Sequence, residues 1–260
     1  MTALIAAISG VYGLVIGSFL NVVIWRVPRK ESIVTPASHC PSCDDPISPR
    51  DNIPLFSWAV LRGRCRNCHE RISFRYPFIE LLTAGLFVAV GIRFSHSWAL
   101  PAYLVLTAGL IALSVIDLET FLLPNRIVYP LGIIGGALLL FAALVSGEWH
   151  AFLRALEGGA VAFAFFFLVH FVYPRGMGFG DVRLSFVLGM FLGWLGWWYV
   201  AGGLFAGFVY GAVIGVGVMA VEGPRGRKRQ IPFGPFLALG TMTFIFWGGP
   251  LIDWYHHLGR

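Results

Sequence analysis

Charge is scarce in this sequence. Only 12% of its 260 residues are Asp, Glu, Lys or Arg, while 57% are hydrophobic and 15% aromatic. A soluble chain carries about twice that charge, so an ordinary soluble protein is excluded and a polytopic membrane protein is indicated. Cysteine is sparse too: four residues, all within one polar loop. The loop is cytoplasmic by charge, where thiols stay reduced, which disfavours disulfides. No basic n-region precedes the first apolar run; Arg26, Arg29 and Lys30 follow it instead. The run therefore reads as a span that stays, with the N-terminus outside, and not as a cleaved signal. No repeat relates the two halves. The net charge of +6 follows the loops, which excludes nucleic acid as a partner.

What the chain has instead is a series of apolar runs. Ala3–Trp25, Pro77–Ile92, Trp98–Ile116, Ile127–Val145 and Ala151–Tyr173 read as five spans. The run Val182–Ala220 exceeds the roughly 20 residues of one span and divides at Gly193–Gly196 into a short sixth and a longer seventh. Pro232–Leu251 is the eighth. With the N-terminus outside, the inner loops are 26–76, 118–126, 174–181 (with Arg183 just beyond) and 221–231. Together they hold sixteen of the nineteen Lys and Arg residues, only Arg93, Arg154 and Arg260 falling outside. That is the positive-inside bias. The expected fold is all-α, with about eight transmembrane helices, both termini outside, and a small cytoplasmic domain after the first helix. Residues 1–25 form the first helix, 26–76 the loop domain and 77–260 the membrane-embedded remainder.

Ionisable residues at the ends of such runs are functional candidates, because a charge near the bilayer centre costs about 3 kcal/mol on insertion scales. Asp181 stands in GMGFGDVRL, Gly176–Leu184, behind three glycines. Asp117 ends the third span, in VIDLETFLLPN, before the Pro124–Asn125 turn. The third and fifth spans both run inward, so topology brings both carboxylates to the inner face. Two carboxylates held close together cannot both ionise cheaply; one keeps a proton while the other acts as base toward water. The alternative for each is a helix-end residue at the lipid interface, and for the pair a proton path through a transporter or channel. Carriers usually place such groups at midplane within repeats, which this chain does not do.

Cys40-Pro-Ser-Cys43 and Cys65-Arg-Asn-Cys68 are separated by 21 residues, close to the spacing of a four-cysteine zinc site. A 51-residue polar domain buries little core, and a metal supplies the missing folding energy. Four thiolates leave no open position, so the zinc is structural. A pair of redox CxxC motifs is the other reading, without the βαβ pattern that accompanies it. His39 and His69 are not needed as ligands. Glu80 is either an interface residue or part of a polar site facing the loop domain. Glu157 and His170 read as packing or surface residues, and Trp194, Trp197 and Trp198 as an interfacial belt. Arg225, Arg227, Lys228 and Arg229 read as a topology anchor that attracts anionic lipid. Small residues throughout the spans point to close helix packing.

Taken together, GSFLNVVIWRVPR (Gly17–Arg29), the two CxxC pairs, RYPFIE (Arg75–Glu80), DLETFLLPN (Asp117–Asn125), GMGFGDVRL and PFGPFLALG (Pro232–Gly240) resemble the bifunctional bacterial prepilin peptidases of type IV pilus and type II secretion systems. The resemblance covers nearly the whole chain. It implies that Asp117 and Asp181 are the catalytic pair of an aspartic endopeptidase and that Cys40, Cys43, Cys65 and Cys68 bind zinc. It implies a bacterial inner-membrane enzyme that cuts a short basic leader from prepilins or pseudopilins at the cytoplasmic face. It further implies methylation of the new N-terminus with S-adenosylmethionine, although no glycine fingerprint reads as a donor site. The family often has Lys two residues after the second Asp, where this chain has Arg183.

Overall fold

The computed structural model describes residues 1–174, 177–222 and 231–258. Among them there are helices and no strands. Eight long helices are α1 (Thr2–Arg26), α3 (Arg75–Arg93), α4 (Leu100–Thr120), α5 (Asn125–Ser146), α6 (Trp149–Val172), α7 (Phe179–Leu195), α8 (Trp197–Glu222) and α9 (Gly234–Leu258). The short α2 (Phe56–Val60) lies in the polar loop. All the long helices except α7 are long and apolar enough to cross a membrane. This is a multi-pass membrane protein.

The sixth expected span is present as α7. At 17 residues it is about 25 Å long, short of the roughly 30 Å hydrocarbon core. Its residues from Leu188 to Trp194 are all buried, so protein, not lipid, surrounds most of it. Burial of Trp194 removes that ring from the interfacial belt, whereas Trp197 and Trp198 are exposed as expected. The break between α7 and α8 falls at Gly196, whose φ of 152° and ψ of 163° suit only glycine. Elsewhere the helices outrun the apolar runs by a few residues. α4 continues to Thr120, so Asp117 lies on the helix and not beyond it.

The chain divides into two compact units, Met1–Ala112 and Leu113–Arg260. In the first, α1 packs on α3 through glycines. A methyl group on Gly13 would stand 2.7 Å from the Ala84 Cα, and one on Gly17 equally near the Glu80 Cα. In the second, α6 and α7 meet at Gly158, Gly159, Gly189 and Gly193, and α8 meets α9 at Gly207 and Gly240. Lipid competes with any apolar contact between spans, so backbones that approach closely maximise dispersion and give the association its strength. Arg154 is structural. Its Nε and Nη2 donate to the carbonyls of Gly193 (2.7 Å) and Trp194 (2.6 Å), capping the C-terminal end of α7.

Gly189→Ala would drive a methyl against the Gly158 carbonyl and the Ala162 side chain, whereas Gly215 has open space around it. Gly189→Ala should lower the unfolding free energy in detergent micelles by about 2 kcal/mol, the usual cost of overpacking. Gly215→Ala should be neutral or slightly stabilising. Denaturant titration of both variants checks the contrast.

Candidate functional site

Asp117 sits one turn before the end of α4, where its carbonyl accepts the Phe121 N–H at 2.9 Å. Phe121 then takes a left-handed conformation (φ 56°) and the chain turns through Leu122 and Leu123 to Pro124, which precedes α5. Asp181 lies in the first turn of α7, its N–H donating to the Gly178 carbonyl at 3.1 Å. A carboxylate is favoured at that helix end by the macrodipole. Both residues are buried, 5% and 7% exposed. Leu123 lies against both Gly180, the residue before Asp181, and Gly234, whose N–H reaches Asp117, so the two carboxylates are set around one side chain.

Three backbone positions hold this arrangement. Gly234, the first residue of α9, donates its N–H to Asp117 Oδ2 at 3.0 Å, and a methyl group there would stand 2.7 Å from the same oxygen. Leu123 wedges between the starts of α7 and α9. Its side chain would lie 2.9 Å from a methyl on Gly180 and 3.1 Å from one on Gly234. Gly178 leaves room for Asp181, since its missing methyl would stand 3.3 Å from Oδ2. The other oxygen, Asp181 Oδ1, is buried without a hydrogen-bond partner. An orphaned buried acceptor is costly, and here it marks the place where a water or a substrate group can bind.

Neighbouring residues fix the loop. The Met177 carbonyl lies 2.8 Å from His170 Nδ1, so His170 packs against the glycine segment as a structural contact. Arg183 donates to Asn125 Oδ1 at 2.5 Å and lies 4.5 Å from the centre of the Phe179 ring, tying the start of α5 to the start of α7. Gly176 and the basic run 225–229 lie outside the described residues. The role of Gly234 was not read from the sequence. Its signal was present in Pro232-Phe-Gly-Pro235, since proline in the first turn marks a helix N-terminus and hence free N–H groups.

In the other unit, the four cysteine sulfurs all lie within 4.8 Å of one another. Zinc–sulfur bonds of about 2.3 Å in a tetrahedron set sulfurs about 3.8 Å apart, and Cys40 and Cys68 are separated by 3.8 Å. The two turns are copies. The Cys40 N–H donates to the Asp45 carbonyl (3.0 Å) as the Cys65 N–H does to Glu70 (2.8 Å), and the Asp44 and His69 N–H groups return to Cys40 and Cys65. Asp44 and His69 share a positive φ, 54° and 57°. Backbone N–H groups of Ser42 and Cys43 hold the Cys40 thiol down to about 7, whereas burial and then the neighbouring thiols push Cys43 and Cys68 up, as expected of crowded thiols that need a cation to ionise together. The donor set fits a closed four-thiolate zinc site without His39 or His69. Asn67 Nδ2 bridges the turns to Asp45 Oδ2 at 2.6 Å. Glu80 resolves to the polar alternative: it is buried and its Oε2 accepts the Leu55 N–H at 2.8 Å, fastening the loop to α3.

Residues 11–94 match the model of the bacterial peptidase A24 N-terminal domain, and residues 104–216 that of the type IV leader peptidase family. The prepilin leader peptidase/N-methyltransferase of Aeromonas hydrophila is 38% identical over 269 residues, covering 94% of this chain and 91% of that protein. The protein of the same name from Bacillus subtilis is 36% identical (94% and 95% covered), and that from Pseudomonas aeruginosa 34% identical (94% and 90% covered). No solved structure matches the chain.

Reduced protein purified without chelators should carry about one zinc per chain. Cys43→Ser and Cys68→Ser should each lower that content and open the 26–76 loop to protease. Metal analysis and limited proteolysis on the same samples check both.

Proposed function

The chain belongs to the type IV leader peptidase family, and from that membership we propose that it removes the short basic leader of prepilins or pseudopilins with Asp117 and Asp181 as catalytic pair. The observation that carries this is the convergence of two buried carboxylates, one held by the Gly234 N–H and the other with a free oxygen. Asp117 and Asp181 both lie within residues 104–216, the stretch that matches the family model.

In the proposed reaction the pair shares one proton, as neighbouring buried carboxylates do. The ionised member accepts a proton from water as the water oxygen attacks the scissile carbonyl. The protonated member donates to the carbonyl oxygen, and the proton later reaches the leaving amine as the C–N bond breaks. The Gly234 N–H keeps Asp117 oriented throughout. Leu123 and the glycines fix the gap in which the peptide lies.

The positive-inside count supports an active site at the cytoplasmic face of a bacterial inner membrane, with both termini outside. Water is available there, and the substrate's apolar stem has just ended. A metal held by Cys40, Cys43, Cys65 and Cys68 would lock residues 26–76 together and leave no position open for chemistry. We assign that loop domain to the methyltransferase activity, with S-adenosylmethionine as donor, and residues 77–260 to the peptidase. No strand occurs among the described residues, so the strand–turn–helix that binds many nucleotide cofactors is absent among them. The transporter or channel reading of the Asp pair has no support among the relatives.

Incubation of the purified protein with a synthetic prepilin, with and without S-adenosylmethionine, should give the two products by mass. Asp117→Asn and Asp181→Asn should each reduce cleavage by at least about a hundredfold, the lower range for loss of acid–base catalysis, while circular dichroism stays native. Substantial activity in either folded variant would overturn the aspartic mechanism. A substrate whose stem extends about 11 Å (two helical turns) toward the leader, burying the scissile bond, should be cut much more slowly. Equal rates would place the chemistry inside the bilayer.

A further inference from the structure

α8 is the least enclosed of the seven apolar helices: only 11% of its most apolar stretch is buried, against 28–61% in the other six. Its free side is not flat. Two cavities of about 370 and 780 Å³ run along it and share Phe208. The smaller is walled by Val169 of α6, by Tyr173 just beyond it, by Met177, and by Phe233 and Phe236. The larger is walled by Ala162 and Phe165 of α6, Ala201 and Phe205 of α8, and Phe244 and Trp254 of α9. Phe208 joins the two, its ring 5.4 Å from Phe166 and 5.1 Å from Phe233.

From Trp197 to Ala212 this track follows α8 for about 22 Å, most of the roughly 30 Å apolar thickness of a bilayer. Small residues, among them Ala162, Ala201 and Ala212, line it, and small residues let a second helix approach closely. Its inner end is decisive. Phe233 immediately precedes Gly234, whose N–H holds Asp117. Met177, at the same end, immediately precedes Gly178, which borders Asp181 Oδ2, so two walls of this end are the chain neighbours of the glycines that border the two carboxylates.

We infer that this groove between α6, α8 and α9 receives the single apolar helix of the substrate, laid along α8 so that its polar leader meets Asp117 and Asp181. This rests on the leader peptidase reading. A stem that starts directly after the scissile bond matches a groove whose end is walled by Met177 and Phe233, one residue along the chain from Gly178 and Gly234. The groove also supplies a ruler: contacts along the helix set how far the chain enters, and hence which bond reaches the carboxylates.

Two measurements on the full chain in phosphatidylethanolamine–phosphatidylglycerol vesicles test it. Phe205 is 69% exposed in the groove and Ile133, on α5, is 72% exposed outside it. A photoreactive benzoyl-phenylalanine at each position, in an Asp181→Asn background with a synthetic prepilin, should cross-link the substrate's stem from position 205 at least about tenfold more than from 133. Adducts with lipid only, adducts with a second copy of the enzyme only, or equal yields from both positions would overturn the groove. In the otherwise native enzyme, a stem-bearing substrate should show a lower KM than a leader peptide cut off just past the scissile bond. Ala201→Trp should shrink that KM ratio by about tenfold, the loss of one well-packed side-chain contact. An unchanged ratio would overturn the groove while leaving the peptidase reading intact. Failure of the native enzyme to cut either substrate would overturn the peptidase reading and the groove with it.

Discussion

Two carboxylates buried in an apolar bundle are the constraint on which the second unit depends. Among the described residues neither Asp117 nor Asp181 has an ion-pair partner, so each must be accommodated by backbone donors, helix ends and the other carboxylate. That need explains several otherwise unrelated features. α9 starts at Gly234 where its free N–H can reach Asp117. α7 starts two residues before Asp181, so that the helix end faces the carboxylate. The α4–α5 turn carries Leu123 inward against Gly180 and Gly234. Side chains at either glycine would push the wedge out and separate the pair.

The rest of the unit keeps those helix ends in place. α7 carries one carboxylate and is too short to depend on lipid, so it is packed against α6 through glycines at which the backbones nearly touch and is capped by Arg154. α8 joins the core less fully. Its partner, α9, is held to it by Gly240 against Gly207. The closely packed α6–α7 pair and the open side along α8 suit the proposed protease, which must fix an acid and a base and still admit an apolar substrate helix.

The first unit solves a different problem by related means. Its polar loop has few apolar residues to bury. Trp58 is one, packed on Phe74 with ring centres 5.9 Å apart and donating to the Ile72 carbonyl at 3.3 Å. Two copies of one tight turn converge their thiols, and the Arg66–Asp51 pair (2.6 Å) adds a surface tie. Asn21 reaches the Tyr76 carbonyl at 3.2 Å and Glu80 the Leu55 N–H. Polar residues at the ends of α1 and α3 thus fasten the loop to its helices. A fold with so little core gains most from a metal.

By itself the sequence determined the class of the protein, the number of long helices, the division at Gly196 and the spacing of the four cysteines. All of these follow from composition and local periodicity, which do not need distant contacts to be read. It also picked out Asp117 and Asp181, because a carboxylate at the end of an apolar run is conspicuous wherever it lies. Tertiary structure decided the rest. The partner of Asp117 is a backbone N–H 117 residues away, and Glu80 is tied to Leu55 and not free at an interface. Trp194 faces protein while Trp197 faces outward. Such pairings depend on which helix faces which, and the glycine contacts that set those faces leave no periodic trace of their own. A glycine reads the same in sequence whether its missing methyl would meet a carbonyl, as at Gly193, or open space, as at Gly215; only the packed neighbour distinguishes them.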